Sequence, residues 1–326
     1  MSRGAAGGAP RVVAIGGGHG LAQTLRAARQ YAFELTAVVS VADDGGSSGR
    51  LRELLGIPAP GDLRRCIGAL LPEPSALAEA LEHRFASGEL AGHAFGNLLI
   101  AAFASTTGDF VSGVEEAARV LGAVGRVLPA TVVPVVLKAQ TASGELIGQV
   151  RVSKGGEIAT VSLVPPDPAP PPAVLQAIAE ADQIVLGPGS LFTSVLAACV
   201  VPGIREGLRS ARARRVYVAN LREQLPETAG FDVARLLEAL RAHGVEVDVV
   251  VADRAALPLG EFPDDVALVI ADVAGAGFRE HDPKLLGAEL ALLVHDDVLR
   301  CPRQVRENVL VLTGPETALK ERLRER

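Results

Sequence analysis

The amino-acid sequence predicts an α/β fold, a Rossmann-like three-layer sandwich with a mostly parallel sheet and an inserted β-meander. Short apolar segments typical of buried strands alternate with amphipathic helical segments along most of the 326 residues, as in parallel sheets covered by helices on both faces. Glycine-rich loops follow two of the predicted strands, at 16–20 and 187–190. Residues 127–165 instead show strands separated by turn signals, which predicts the insertion.

The first half of the chain sets the order of elements. RVVAI (11–15) predicts a buried strand, LAQTLRAARQY (21–31) an amphipathic helix and ELTAVVSV (34–41) a second strand. Residues 61–124 carry apolar side chains at helical spacing and are predicted to be mostly helical, with Asp109 as the N-cap of one helix.

A proline-rich segment separates the insertion from the second half of the chain. PPDPAPPPA (165–173) is predicted to be a stiff surface linker, because proline restricts the backbone. Strands and helices then alternate again, with strands predicted at QIVL, RRVYVAN, VEVDVVVAD and VALVIADVA. We therefore expect a flexible tail over residues 1–10 and a single domain over 11–326.

Composition argues against several functional classes. The formal net charge of -6 disfavours non-specific nucleic-acid binding, which needs concentrated Lys and Arg. No apolar run reaches the about 18 residues of a membrane span, and the N-terminal segment lacks the apolar core of a signal peptide. Cys66, Cys199 and Cys301 are far apart and show neither disulfide nor zinc spacing. We expect a cytoplasmic protein without a metal centre of its own.

The first glycine loop, GGGHG, joins a predicted strand to a predicted helix. Glycines allow the backbone to approach an anion closely, and a helix N-terminus supplies free N–H groups. Leu21 stands where the dinucleotide fingerprint GxGxxG has its third glycine, which disfavours an NAD site. The ligand-binding residues predicted in this loop are Gly16, Gly17, Gly18, His19 and Gly20.

The loop VADDGGSSGR (41–50) combines two acids with an anion-binding sequence. Adjacent side chains on an extended backbone point in opposite directions, so Asp43 and Asp44 are poorly placed as a paired general acid and base. One is expected to accept hydrogen bonds from a ribose or base, while the other caps the loop or holds Mg²⁺. The remaining predicted ligand-binding residues of the loop are Gly45, Gly46, Ser47, Ser48, Gly49 and Arg50.

The same loop matches the GxSxG pattern of a hydrolase nucleophile. That motif requires a sharp turn directly between strand and helix. Here two acids intervene and the loop is long, which disfavours a hydrolase.

Three further sets of polar residues are candidates for the site. GPGS repeats the strand–loop–helix arrangement, with Ser190 as a natural N-cap. Asn97, in GHAFGN, either reads a base or ribose or caps a helix, and Asn220 ends a predicted strand with the same two alternatives. His243 precedes a glycine at a helix end and is expected to be a C-capping cation. The predicted ligand-binding residues are Gly187, Gly189, Ser190, Asn97 and Asn220.

These motifs together resemble one family. In chain order they are AIGGGHGL, VADDGGSSGRLR, PGDLRRCIGAL, HRF, GHAFGNLLIAA, GRVLPAT and VLGPGSLFTSVL. On them the chain resembles the YvcK-type proteins of the CofD-like superfamily, described as gluconeogenesis factors or UDP-N-acetylglucosamine-binding proteins. The similarity runs from about residue 11 to residue 300.

The resemblance implies a cytoplasmic regulator that binds UDP-N-acetylglucosamine. The acids of the 41–50 loop add Mg²⁺ as a possible cofactor. The implied role of the regulator is to partition carbon between gluconeogenesis and cell-wall precursors and to maintain cell shape on gluconeogenic carbon sources. The resemblance also implies a regulatory protein partner in cell-wall precursor synthesis and is compatible with a homo-oligomer. No catalytic residue follows from it. The alternative is the transferase branch, which moves a phospholactyl group onto the deazaflavin Fo, although GGSSGRLR favours the YvcK side.

Two departures from the family pattern concern the predicted site. His19 stands where threonine is more usual, and NLREQLPETAGF (220–231) matches the pattern TQxGET only in part, because Pro226 replaces its glycine. Proline lacks a donor N–H, so this loop's backbone is not expected to hold the ligand. An oxidoreductase and an α/β scaffold with a vestigial site are the remaining alternatives.

Overall fold

A seven-stranded parallel sheet forms the centre of the fold. This computed structural model describes residues 9–72 and 75–294. Most of the predicted tail, Cys301 and the C-terminal end of the predicted domain lie outside the described residues. The strands among them are β1 (Arg11–Gly16), β2 (Glu34–Val39), β3 (Arg126–Pro129), β4 (Val136–Thr141), β5 (Gly144–Ile147), β6 (Ile158–Val164), β7 (Gln183–Leu186), β8 (Arg214–Val218), β9 (Val249–Asp253) and β10 (Ala267–Ala271).

The order of strands in the main sheet places β7 at its middle and β1 beside it. The order is β10-β9-β8-β7-β1-β2-β3, and every neighbouring pair is parallel. β1 and β7 are apolar runs buried along almost their whole length, as strands covered on both faces must be. The chain reverses its direction of winding between β1 and β7, and the crevice at such a switch point is where open α/β sheets bind ligands.

Helices cover the sheet. α1 packs against α3 and α12, whereas α8 packs against α10, and both α1 and α8 contact β1, which confirms the predicted α/β class. A π-helix (Leu191–Leu196) precedes α9, and a short 3₁₀ helix (Ala276–Phe278) precedes α12. The helices are α1 (Gly18–Ala28), α2 (Gly46–Leu55), α3 (Gly61–Ala69), α4 (Ala76–Glu82), α5 (Phe95–Thr107), α6 (Phe110–Leu121), α7 (Gln149–Ser153), α8 (Pro172–Glu180), α9 (Ala197–Cys199), α10 (Pro202–Ser210), α11 (Val233–Ala242) and α12 (Pro283–Leu292).

Local sequence explains where several helices begin. Asp109 caps α6, because its carboxylate accepts the Ser112 N–H at 2.7 Å, as predicted. α1 starts three residues earlier than the predicted 21–31, inside the glycine loop itself, so the loop ends in helical N–H groups. It buries Leu21 and Leu25 against the sheet at a helical spacing of four.

The membrane test agrees with the composition. No single helix among the described residues is long and apolar enough to cross a bilayer. Two consecutive helical segments are long and apolar enough only when taken together, and they are bent by 77° relative to each other. They are Leu191–Cys199 and Pro202–Ser210.

The insertion is a small three-stranded antiparallel sheet. Two details differ from the predicted meander over 127–165. Residues 127–129 belong to β3 and pair in parallel with β2, so the antiparallel part begins at Val136. Its order is β5-β4-β6, because α7 carries the chain across the sheet before β6. β4 therefore lies in the middle, where a simple meander would place β5.

His243 ties the insertion to the main body of the protein. Its Nε2 accepts the Val161 N–H of β6 at 2.9 Å, and its Nδ1 lies 2.7 Å from the Ala239 carbonyl oxygen. The ring must therefore be neutral, with its proton on Nδ1. Burial lowers the pKa of His243, which corrects the expectation of a capping cation. His243 is the C-cap residue of α11 but acts as a hydrogen-bond acceptor.

Acidification should loosen this junction. The pKa of His243 is lower in the folded state than in the unfolded chain, so its contribution is complete above about pH 6.5 and is lost as the pH falls below that value. We expect the free energy of unfolding to decrease between pH 7.5 and 5.5, with reduced hydrogen-exchange protection of the Val161 amide. His243→Gln should weaken this pH dependence, and an unchanged dependence in that variant would contradict the assignment.

Candidate ligand-binding site

Residues of the loops that follow β1, β2 and β7 line one cleft at the carboxyl edge of the sheet. The β1–α1 loop lies against the β7 loop, and a side chain on Gly20 would come within 2.2 Å of the Pro188 carbonyl oxygen. Gly49, in the first turn of α2, also packs against backbone, because a side chain there would lie 2.2 Å from the Asp44 carbonyl oxygen of the preceding loop. Glycine is therefore required at both positions for the close backbone approach.

The N-terminus of α2 has no side-chain cap. Gly45 occupies the N-cap position, and Gly46 has a φ of 46°, which favours glycine. The first N–H groups of a helix have no partner within the helix, so those of Gly46 and Ser48, which line a cleft at this helix end, are available to an anion. α3 also begins without a side-chain cap, at Pro60. The α1 N-terminus is partly occupied, because the Gly18 N–H donates to the Asp62 carboxylate.

Asp43 and Asp44 point in different directions, as their adjacency predicts. Asp43 accepts the Gly45 N–H at 2.9 Å and lines the main cleft. Asp44 accepts the Val150 N–H at 2.9 Å and thereby caps α7 of the insertion. Asp44 thus holds the insertion over the loop, and Asp43 faces the ligand space.

The main cleft has a volume of about 440 Å³ and contains charges of both signs. Two carboxylates, Asp43 and Asp62, share it with three guanidinium groups, and α7 adds Gln149 and Ser153 from the insertion. The lining residues are Gly18, Asp43, Gly45, Gly46, Ser48, Gly61, Asp62, Arg64, Arg65, Arg84, Gln149, Ser153, Ser190, Thr193 and Ser194.

Asp62 is a buried carboxylate within this cleft. Burial raises the pKa of Asp62, and the neighbouring charge of Asp43 adds to the rise. Arg65 opposes it, because its Nη1 donates to Asp62 Oδ1 at 2.8 Å. The charge of Asp43 therefore disfavours the ionised form of Asp62. A cation between them, or an arginine, relieves that repulsion.

Asn97 belongs to a buried network beneath the cleft. Its side-chain oxygen accepts from Arg64 at 3.2 Å, and its side-chain nitrogen donates to Ser47 Oγ at 3.0 Å. Arg64, only 1% exposed, also forms a two-point contact with Glu82 at 3.1 and 2.9 Å. The amide of Asn97 is thus used inside the protein, and Asn97 positions the cleft rather than reading a base.

Ser47 is not presented as a nucleophile. Its Oγ accepts from the Ala94 N–H at 3.3 Å and from Asn97, so its hydroxyl donates to His93 Nδ1 at 3.1 Å. Ser47 is 2% exposed and does not line the main cleft. The geometry therefore agrees with the sequence argument against a hydrolase.

The arginines that line the main cleft do not include Arg50, the arginine predicted from the sequence. Arg50 is exposed, donates to the Ala91 carbonyl oxygen at 2.9 Å and does not line the cleft. Arg64, Arg65 and Arg84 take that position instead. Sequence reasoning missed them, although GDLRR places two arginines in the first turns of a helix that follows a loop.

The predicted anion-binding role of the GPGS loop does not match its hydrogen bonds. Asn220 accepts the Gly189 N–H at 3.0 Å, Gln224 accepts the Leu191 N–H at 3.3 Å, and Glu227 accepts the Phe192 N–H at 2.8 Å. Ser190 stands at the N-cap position but caps nothing with its side chain. Side chains of the loop after β8 therefore saturate this helix end, and Asn220 fixes the backbone of Gly189.

A second cleft of about 440 Å³ adjoins the main one across the β1–α1 loop. His19 and Gly20 line the second cleft, whereas Gly18 lines the first. The other residues that line it are Gln23, Pro188, Gly189, Asn220, Leu221, Arg222, Glu223, Gln224, Arg279, Glu280 and His281. A further cavity of about 360 Å³ lies at the opposite edge of the sheet and contains none of the predicted site residues.

Removing Asn97 should destabilise the whole fold. Asn97→Leu leaves Arg64 without one buried acceptor and Ser47 without a donor, which should cost about 2–4 kcal/mol of unfolding free energy by denaturant titration. Arg50→Ala, an exposed control in α2, should change stability by less than about 0.5 kcal/mol. Equal stability of the two variants would refute the positioning role.

The chain is similar to known proteins along most of its length. The family model of 2-phospho-L-lactate transferase CofD matches residues 12–280. The Gluconeogenesis factor of Halalkalibacterium halodurans is 40% identical over 305 residues, covering 89% of this chain and 92% of that protein. The Gluconeogenesis factor of Bacillus subtilis is 42% identical over 237 residues, covering 72% of this chain and 75% of that protein.

One relative is much longer, and one solved structure matches closely. A Nostoc sp. protein is 44% identical over 236 residues, 72% of this chain, and the match spans 52% of its length. The crystal structure of a UPF0052-family protein from Bacillus halodurans superposes with a TM-score of 0.79 at 35% identity, covering 88% of this chain and 99% of that one. The resemblance drawn from the motifs is confirmed, and the chain belongs to the CofD family.

Proposed function

We propose that this chain binds a nucleotide-sugar, UDP-N-acetylglucosamine, with its diphosphate in the main cleft. The observation that carries the proposal is the uncapped N-terminus of α2, which opens into a cleft at the switch point of the sheet. Free N–H groups and the positive end of the helix dipole favour a phosphate there. Arg65 and Arg84 supply additional positive charge from the cleft walls.

The carboxylates favour a cation together with the diphosphate. No group of three or more metal-ligating side chains occurs among residues 9–72 and 75–294, so a cation would need ligands from the substrate. Mg²⁺ binds in this way, through one or two carboxylates and the phosphates. Asp43 and Asp62 would hold Mg²⁺, which neutralises charge between the carboxylates and the diphosphate.

The proposed role of this binding is regulatory. Two relatives of similar sequence are named gluconeogenesis factors, which supports a function connected with gluconeogenesis. We propose that this function is to divide carbon between gluconeogenesis and cell-wall precursor synthesis. A nucleotide-sugar is such a precursor, so its binding would report the supply. The bound state would then be transmitted to a regulatory protein partner in the cytoplasm, with cell shape on gluconeogenic carbon sources as the outcome.

The family match favours one second candidate, a CofD-like transferase. The model that matches residues 12–280 is described as 2-phospho-L-lactate transferase CofD. In this candidate the two carboxylates would assist attack of a hydroxyl of Fo on the activated phospholactyl donor, whose bond to its activating group breaks and releases that group. Incubation with Fo, Mg²⁺ and the activated phospholactyl donor discriminates the two candidates, because only the transferase forms a new product.

The binding proposal predicts weaker binding for a variant of Asp43 and unchanged binding for a variant of its neighbour Asp44. Asp43→Asn removes a charge that faces the cleft and should weaken UDP-N-acetylglucosamine binding in the presence of Mg²⁺ by about tenfold or more. Asp44→Asn keeps an oxygen that can accept the Val150 N–H, so its affinity should stay near that of the unmodified protein. Thermal-shift titration measures both, since ligand at 100 times its Kd adds about 2.7 kcal/mol of stability.

Arginine variants provide the matched control. Arg84→Ala should weaken binding, whereas Arg50→Ala should not, because only Arg84 lines the cleft. A stabilising shift with UDP-N-acetylglucosamine but not with NAD supports the proposal. Absence of any shift in the unmodified protein would contradict it.

A further inference from the structure

The second cleft contains two buried acceptor atoms that no protein group satisfies. They are Nε2 of His281 and Oε1 of Gln23, and both residues line this cleft. Buried polar atoms in proteins are almost always paired. Two exceptions on the walls of one cleft indicate that their partner comes from outside the chain.

The acceptor character of His281 follows from its surroundings. The side chain is only 6% exposed, and its ring donates a hydrogen bond to the Ala219 carbonyl oxygen. Because Nε2 has no partner, Nδ1 is the donor in that bond. Burial lowers the pKa of His281 to about 4, so the ring is neutral at physiological pH and Nε2 carries a free lone pair.

The orientation of the Gln23 amide is fixed by its neighbour. Its nitrogen lies 2.5 Å from Glu280 Oε2, and a carboxylate can only accept a hydrogen bond. The amide nitrogen must therefore face Glu280, which leaves Oε1 as the second unused acceptor.

We infer that the second cleft is a subsite for the uncharged part of the ligand, where His281 Nε2 and Gln23 Oε1 accept hydrogen bonds from its N–H or O–H groups. This inference rests on the proposed binding of a nucleotide-sugar in the main cleft. The β1–α1 loop separates the two clefts, with Gly18 on one side and His19 and Gly20 on the other. One extended ligand can therefore cross the loop, with its diphosphate on one side and a neutral group on the other.

The donor can come from either end of a nucleotide-sugar. The imide N–H of uracil and the hydroxyl or acetamido N–H groups of the hexose share the same chemistry. UDP contains only the first source, and N-acetylglucosamine 1-phosphate contains only the second, so these two ligands distinguish the ends.

Two substitutions of His281 separate the acceptor from the structural bond. Asn at this position retains an amide nitrogen near Nδ1, which can still donate to Ala219, but lacks an acceptor at the position of Nε2. Gln places its amide near Nε2 and offers an oxygen there. We expect His281→Asn to weaken UDP-N-acetylglucosamine binding by about tenfold in titration calorimetry, and His281→Gln to recover most of the affinity.

Pyrophosphate with Mg²⁺ is the internal control, because it fills only the main cleft. Its affinity should be the same in both variants and in the unmodified protein. A loss with UDP as well assigns the cleft to the base, and a loss with N-acetylglucosamine 1-phosphate assigns it to the hexose. Gln23→Leu removes the other acceptor and should cause the same loss of affinity. It replaces His281→Asn as the test if that variant folds poorly.

The outcomes separate this inference from the proposed function. If the unmodified protein binds neither UDP-N-acetylglucosamine nor pyrophosphate, the proposed function fails, and the subsite fails with it. If the unmodified protein binds the nucleotide-sugar and both His281→Asn and Gln23→Leu bind it equally well, the subsite alone is wrong.

Discussion

The buried contact between Arg64 and Asn97 is the interaction on which the candidate site depends. Arg64 lies in α3, Glu82 in α4 and Asn97 in α5, and Asn97 continues the chain of hydrogen bonds to Ser47 in α2. A charged side chain that is 1% exposed is tolerated only when its donors are paired. Satisfying this one guanidinium therefore fixes four helices relative to one another, and with them the N-terminus of α2 at the cleft.

The sheet supplies the complementary constraint. Its reversal between β1 and β7 opens a crevice, and the close approach at Gly20 brings the loops of these two strands together. Side chains from the loop after β8 then saturate the helix end beside β7. The two helix ends at this edge therefore differ. The N–H groups of the helix after β7 are bonded by side chains of the protein, whereas the N-terminus of α2 stays open to an anion.

Patterns within short segments predicted most of the fold and part of the site. Alternating strands and helices, the cap at Asp109 and the opposite directions of Asp43 and Asp44 all follow from neighbouring residues. The errors concern partners that are distant in sequence. Arg50 lies in α2 and donates to the Ala91 carbonyl oxygen, and His243 accepts from Val161, 82 residues earlier. The N–H groups of Leu191 and Phe192, directly after GPGS, likewise donate to Gln224 and Glu227, whose match to the family pattern said nothing about the helix they contact.

The position of the diphosphate is the central claim, and a crystal structure of the protein with UDP-N-acetylglucosamine and Mg²⁺ tests it most directly. We expect phosphate oxygens at the N–H groups of Gly46 and Ser48, with the cation between the diphosphate and Asp43. Phosphates bound at the GPGS loop, or in the cavity at the opposite edge of the sheet, would contradict the account.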